Sequence, residues 1–224
     1  MLFMIAATID HTLLATIATE EDIRQLGAEA REWGFASVCV NPLYVSLAVQ
    51  VLRGAPSRVG TVVGYPLGAT TTAVKIAETL GALEDGAREI EMVGAIGLLK
   101  ARTYGRFRDD IAAVVEVARR WPDVTIKVIL EMSVLAREEK QVGARAAVEA
   151  GADGVVTATG MGGMGATAED VRLLRATLPD AFMIKASGGI RTLPQAHALL
   201  EAGATRLGTS AGVTLARAEA TNRA

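Results

Sequence analysis

The sequence predicts a single (β/α)8 barrel, and three observations lead to this prediction. Half of the 224 residues are hydrophobic and only 4% are aromatic, which is typical of parallel strands covered on both faces. Short β-branched runs alternate with helical segments along the whole chain. Eight such strand–helix units in a chain of this length favour a closed barrel over an open sheet. Because no low-complexity linker interrupts the units, we expect one domain over residues 1–224.

The elements follow one another in a regular order. Four strands are expected directly after a glycine that ends a helix, where a positive φ suits the helix C-terminus; these glycines are Gly34, Gly86, Gly151 and Gly203. The other strands are apolar runs, and the seventh ends at a pair of glycines. In chain order the expected strands are 8–14, 37–41, 58–65, 89–96, 125–131, 154–159, 182–187 and 206–210. Helices lie between them, and capping pairs predict three of their starts: Thr19 with Asp22, Thr167 with Asp170, and Thr192 with Gln195.

Composition narrows the functional classes. The net charge is −2 with both signs interspersed, which indicates neither a nucleic-acid nor a membrane partner. Cys39 is the single cysteine and excludes an internal disulfide and a multi-cysteine metal site. The apolar start is too short to span a membrane and poor as a secretion signal. We therefore expect a cytoplasmic protein.

Polar residues gather where the strands are expected to end, which is where reacting groups lie in this fold. They are Asp10, Thr12, Asn41, Glu91, Lys127, Glu131, Thr157, Thr159, Lys185, Ser187 and Ser210. Glycines cluster beside three late strands, at Gly160, Gly162 and Gly163, at Gly188 and Gly189, and at Gly208 and Gly212. Backbone N–H groups of such loops, next to a helix N-terminus, suit a phosphate. Lys185 lies just inside this region, and a lysine there can either form imines with carbonyl substrates or pair with a carboxylate.

Over nearly its whole length the chain resembles the deoxyribose-phosphate aldolases. The matching runs are IDHTLL at 9–14, FASVCVNP at 35–42, VVGYPLGA at 62–69, KVILE at 127–131, KASGGIRT at 185–192 and GTSAG at 208–212. The resemblance implies a class I aldolase that cleaves 2-deoxyribose 5-phosphate to acetaldehyde and glyceraldehyde 3-phosphate through a lysine imine, with no metal or cofactor.

The resemblance also implies roles for individual residues. Phosphate binding falls to Gly160, Gly188, Gly189 and Ser210, with Thr159, Cys39 and Tyr65 beside the substrate. Lys185 corresponds to the second lysine, which lowers the pKa of the imine-forming lysine. Asp10 and Lys127 are candidate catalytic residues, although Lys127 could instead pair with Glu91 or Glu131.

Departures from the family pattern fall on the pocket. Val156 occupies the position of the imine-forming lysine, and a hydrocarbon cannot form an imine. Glu91 replaces the family's acid/base aspartate and is one methylene longer, and Tyr65 replaces a phenylalanine. The loops expected to bind the phosphate show no such departures from the family pattern.

Three hypotheses follow. The chain is an aldolase-like lyase whose imine chemistry rests on Lys185, with Glu91 moving protons. Alternatively, it is a repurposed or engineered barrel in which Glu91, its pKa raised by apolar surroundings, is a general base. A third alternative is a barrel that binds a sugar phosphate without turnover. We expect a small-molecule partner, a sugar phosphate or an aldehyde, and the apolar segment from Met1 to Ile5 is a candidate homodimer contact or a plug for the barrel floor.

Overall fold

A computed structural model of the chain describes residues 5–162 and 164–223. Met1 to Met4, which belong to the expected dimer contact or plug, lie outside the described residues, as does Gly163 of the first glycine cluster. Ile5 is buried, and its amide donates to an Oε atom of Glu219 at 3.0 Å.

Eight parallel strands close into a barrel in which each strand pairs with its neighbours in chain order and β8 pairs with β1. The strands are β1 (Ile9–Leu13), β2 (Ser37–Val40), β3 (Arg58–Val63), β4 (Glu89–Val93), β5 (Thr125–Ile129), β6 (Gly154–Val156), β7 (Met183–Ser187) and β8 (Arg206–Thr209). The predicted (β/α)8 fold is confirmed.

Helices surround the barrel and bury their apolar faces against it. They are α1 (Glu20–Trp33), α2 (Val45–Val51), α3 (Thr72–Glu84), α4 (Ile96–Lys100), α5 (Tyr104–Ala118), α6 (Arg137–Glu149), α7 (Ala168–Thr177), α8 (Leu193–Glu201) and α9 (Gly212–Arg223). Short 3-10 turns cover Ile5–Thr8, Pro42–Tyr44 and Met132–Val134. No helix in the described part of the chain is long and apolar enough to cross a membrane.

The helix starts and helix ends expected from capping residues and glycines are present in the structure. Thr19, Thr167 and Thr192 each accept a hydrogen bond from the amide three residues on, so all three predicted helix starts are confirmed. All four predicted helix-ending glycines have positive φ.

Several strands are shorter than the sequence suggests, and β6 shows why. It was expected to reach residue 159 but ends at Val156. Beyond that point the Thr159 amide donates to the carboxylate of Glu131 rather than to a neighbouring strand. The chain leaves the strand ladder here because side chains at the barrel mouth bind its backbone.

Candidate active site

Six charged side chains meet inside the barrel, three acidic and three basic. They are Asp10, Glu89, Glu91, Lys127, Lys185 and Arg206, contributed by β1, β4, β5, β7 and β8. Side chains alternate between the two faces of a strand, so Glu89 and Glu91 both point inward from β4. The formal charges of this central network sum to zero when every member is ionised.

Lys127 contacts all three carboxylates of the central network. Its Nζ lies 2.6 Å from Glu89 Oε2, 2.8 Å from Glu91 Oε1 and 3.0 Å from Asp10 Oδ2. Lys127 and Asp10 are both fully buried. A buried cation of this kind is tolerated only when it is paired and hydrogen-bonded, and three carboxylates meet that condition.

Lys185 reaches two of the same carboxylates from β7, two strands away from Lys127. Its Nζ lies 3.0 Å from Asp10 Oδ2 and contacts Glu91 Oε1 directly. Only 1% of the residue is exposed. Arg206 completes the set, since its Nε donates to Asp10 Oδ1 at 2.7 Å and its Nη2 lies 3.1 Å from Glu89 Oε1.

These contacts shift the pKa values of Asp10, Glu91 and Lys185 toward their charged forms. Burial by itself would raise the pKa of Asp10, but Lys127, Lys185 and Arg206 together hold it well below its ordinary value. Burial would likewise raise the pKa of Glu91, and Lys127 and Lys185 lower it. Burial would lower the pKa of Lys185, whereas Asp10 and Glu91 raise it. Lys185 is therefore a cation and Glu91 an anion at neutral pH.

The carboxylates of Asp10, Glu89 and Glu91 have ligand oxygens within 4.8 Å of one another, which is a spacing that a divalent cation could use. In this structure, however, the three carboxylates already bind three basic side chains. A metal ion would have to displace these cations, so the arrangement is better suited to holding lysines than a metal.

A small apolar cluster lies next to the central network. Val156 is fully buried and groups with Val93 and Ile129, and Tyr65 packs against the three. Val156 pairs in register with Lys185 of β7. Cys39 is buried in β2, and burial, with Glu91 adding to the effect, raises the pKa of its thiol. The Cys39 thiol is therefore protonated and a poor nucleophile.

A cavity of about 410 Å3 opens at the carboxyl ends of the strands. Its lining includes Tyr65, Thr159, Gly160, Gly188, Gly189 and Ser210, all of which the sequence predicts beside a phosphate or substrate. Gly160, Gly188 and Gly189 have positive φ. We call this space the phosphate cavity, after the role that the resemblance implies for these residues. Cys39, also a predicted substrate contact, is not among its lining residues.

Gly208 connects the phosphate cavity to the central network. It lines the cavity, and a Cβ at this position would lie only 2.6 Å from Lys185 Cε. The absence of a side chain at Gly208 thus leaves room for Lys185, which lies next to this lining residue but is not itself among the residues that line the cavity.

The structure brings together the predicted residues Lys185, Glu91, Asp10 and Lys127. Lys127 pairs with Glu91, one of its two expected partners, and not with Glu131, which instead accepts from Thr159 Oγ1 at 2.5 Å. The expectation that apolar surroundings raise the pKa of Glu91 is wrong, because two lysines bind its carboxylate.

Three further residues of the site, Glu89, Arg206 and Arg191, were not predicted from the sequence. Glu89 could have been found from the two-residue spacing to Glu91, which places both on one face of a strand. Arg206 pairs with Lys185 in register, which no local sequence signal reveals. Arg191 adds a cationic side chain to the lining of the phosphate cavity.

Comparison with known proteins agrees with this geometry. Residues 4–220 match the family described as DeoC/LacD family aldolase. The chain belongs to this aldolase family. It is 52% identical over 212 residues to the deoxyribose-phosphate aldolase of Carboxydothermus hydrogenoformans, covering 94% of this chain and 93% of the relative. It is 51% identical over 216 residues to that of Halalkalibacterium halodurans, covering 96% of both chains.

A solved structure supports the same assignment of this DeoC/LacD family member. The tetrameric deoxyribose phosphate aldolase of Aeropyrum pernix superposes with a TM-score of 0.90 at 31% identity, covering 97% of this chain and 92% of the other. The resemblance inferred from the sequence motifs is therefore confirmed at the level of family and fold.

Proposed function

We propose that this DeoC/LacD family member is a carbon–carbon lyase of the deoxyribose-phosphate aldolase type, in which Lys185 supplies the amine for imine formation. The observation that carries the proposal is the position of Lys185, whose side chain packs against Gly208, one of the residues that line the phosphate cavity. A sugar phosphate bound with its phosphate at Gly188, Gly189 and Ser210 would have its carbonyl end extend toward Gly208. Val156, in the position of the family's imine-forming lysine, has no amine to offer.

The central network sets the conditions for this chemistry. Lys185 attacks a carbonyl carbon only as a neutral amine, so its proton must first leave. Glu91, in direct contact with Lys185 Nζ, is the nearest acceptor and could later return a proton to the leaving carbon. Because the pKa of Lys185 is raised and that of Glu91 is lowered, this transfer is uphill. The lyase reaction is therefore expected to be slow at neutral pH.

Borohydride trapping tests the proposal. The protein is incubated with 2-deoxyribose 5-phosphate or acetaldehyde, reduced, digested and mapped by mass spectrometry. A reduced adduct is expected on Lys185 and is expected to disappear in Lys185→Met. Lys100→Met is the matched control, because Lys100 pairs with Glu139 on the outside of the barrel and its loss should leave the adduct intact. An adduct elsewhere, or none, contradicts the role of Lys185.

A second candidate function is sugar-phosphate binding without turnover. It is favoured by Val156 and by the ion pairs that hold Lys185 as a cation. Calorimetry with 2-deoxyribose 5-phosphate separates the two. Heat of binding with no adduct and no released acetaldehyde supports the second candidate, whereas absence of binding contradicts both. The remaining hypothesis, a repurposed barrel with Glu91 as a general base, is less well supported because a carboxylate with a lowered pKa is a weaker base.

Self-association of this chain also remains a proposal. The Aeropyrum pernix relative is described as tetrameric, which supports an oligomer of some kind. Sedimentation equilibrium of the full chain, compared with a chain lacking residues 1–4, would test whether the N-terminal segment contributes.

A further inference from the structure

A second cavity opens at the barrel mouth, on the side of β4, β5 and β6. Its volume is about 320 Å3, and its lining includes Leu67, Val93, Ile96, Glu131, Val134 and Thr159. Neither Lys185 nor any of the phosphate-cavity glycines Gly160, Gly188 and Gly189 lines it. We call this space the apolar cavity.

The two cavities adjoin each other, since Thr159 and Met161 line both. Tyr65 Oη donates to the carbonyl oxygen of Thr159 at 2.9 Å, joining the loop after β3 to the loop after β6. Tyr65 lines the phosphate cavity, Pro66 and Leu67 line the apolar cavity, and Thr159 lines both. The bridge from Tyr65 to Thr159 therefore lies where the two cavities adjoin.

Glu131 has one carboxylate oxygen that is satisfied and one that is not. Its Oε2 accepts from the Thr159 amide at 3.1 Å and from Thr159 Oγ1 at 2.5 Å. Its Oε1 is buried and has no hydrogen-bond partner among the described residues. A buried acceptor without a donor carries the full cost of its desolvation, so the site is energetically incomplete until a donor reaches Oε1.

The remaining walls of the apolar cavity are hydrocarbon. Val93 and Ile96 form part of its inner surface, and Val93 groups with Ile129 and Val156 deeper in the barrel. Leu67 and Val134 stand at its rim, 75% and 50% exposed. Apolar side chains left open to water next to a concave surface favour a ligand that covers them.

From these features we propose that the apolar cavity binds a small molecule with a short hydrocarbon body and one hydrogen-bond donor, a hydroxyl or an ammonium group, that donates to Glu131 Oε1. The hydrocarbon covers Val93, Ile96 and Val134. Binding requires neither a phosphate nor Lys185, so it is independent of the lyase function proposed above.

Three probes of the same chain length separate the contribution of the hydrocarbon chain from that of the hydrogen-bond donor. Binding of n-butylammonium, 1-butanol and butyrate is followed by ligand-observed NMR on the full chain. The two donor-bearing probes are expected to bind and butyrate is not, because its carboxylate would face Glu131. A tighter butylammonium complex identifies a charge-assisted bond, and a tighter butanol complex identifies a neutral donor. Failure of both donor probes, or equal binding of butyrate, overturns the proposal.

Variants locate the bound probe. Glu131→Gln keeps an oxygen for Thr159 but presents an amide donor in place of Oε1, so butylammonium should bind at least about tenfold more weakly. Glu131 also holds the loop after β6, so Glu131→Gln could fail to fold. A second variant that leaves Glu131 in place is therefore tested as well. Val134→Trp fills the rim and should abolish binding of both donor probes. Leu43→Trp is its control, since Leu43 is 82% exposed outside both cavities. Unchanged binding in folded Glu131→Gln and Val134→Trp overturns the proposal.

Discussion

Lys185 and Glu91 lie 94 residues apart in sequence, on β7 and β4, and their charged ends contact each other across the inside of the barrel. The contact is shared with Asp10, whose Oδ2 lies 3.0 Å from Lys185 Nζ. A lysine bound by two buried carboxylates is held as a cation. This relationship makes protonation of Lys185 the factor that controls the proposed lyase chemistry.

Imine trapping on Lys185 should accelerate as the pH rises. The carboxylates of Asp10 and Glu91 raise the pKa of Lys185, so the neutral fraction of Lys185 is small at pH 7. As long as the pH stays below this pKa, the neutral fraction grows about tenfold for each unit by which the pH increases. Initial rates of cyanoborohydride trapping with acetaldehyde between pH 7 and 9 measure this slope. Glu91→Gln removes one of the carboxylates and should move the profile to lower pH. A pH-independent rate would contradict the proposed control.

Val156→Lys should strongly increase cleavage of 2-deoxyribose 5-phosphate. The new amine would enter the apolar cluster of Val93 and Ile129, next to Lys185 in register. Burial and a neighbouring cation both depress a lysine pKa, and a depression of about two units raises the neutral fraction at pH 7 on the order of 100-fold. Acetaldehyde release, measured with a coupled dehydrogenase, is the readout. Val156→Met has a similar length without the amine and should show no increase.

Removing Lys127 should cost about 3–5 kcal/mol of unfolding free energy, because it leaves three buried carboxylates with fewer partners. Urea denaturation of Lys127→Met at pH 7 measures the loss. Arg24→Met removes the exposed ion pair with Glu20 and should change stability by less than about 0.5 kcal/mol. Similar losses in the two variants would show that the central network contributes little to stability.

Gly208→Ala should disturb Lys185 without adding or removing a charge. The new methyl group would lie 2.6 Å from Lys185 Cε and 2.8 Å from Ser187 Oγ, and Lys185 cannot simply retreat because Asp10 and Glu91 hold its Nζ. We expect overpacking to lower stability by about 1–3 kcal/mol and adduct formation on Lys185 to fall. Gly81→Ala in α3 meets no atom within 4 Å and should be neutral or stabilising. Unchanged trapping in a folded Gly208→Ala variant would argue against the proposed position of Lys185.

The alternation of strands and helices was predictable because local signals encode it. Threonine caps and positive-φ glycines mark the helix ends, and all the capping pairs singled out from the sequence form. Strand ends were placed too late because the last residues, such as Thr159, continue the β pattern while binding a side chain at the barrel mouth.

The central network could be predicted only in part. Lys185, Glu91, Asp10 and Lys127 were recognisable as polar residues near strand ends. The part that Arg206 plays depends on closure of the barrel, which brings β8 beside β1 and so joins Arg206 to Asp10, 196 residues away in sequence. The hypothesis that burial raises the pKa of Glu91 is wrong for a similar reason, since the direction of the shift follows from how many lysines reach the carboxylate across the barrel.

The bond from Tyr65 to the carbonyl of Thr159 ties the loop after β3 to the loop after β6 through a single hydroxyl group. Because the acceptor is a main-chain oxygen, a substitution at 159 that leaves the backbone in place keeps it, whereas loss of the hydroxyl at 65 removes the bond. Phenylalanine, which the resemblance to the deoxyribose-phosphate aldolases gives at this position, cannot form the link. A barrel with phenylalanine there has to hold these two loops together without this hydrogen bond.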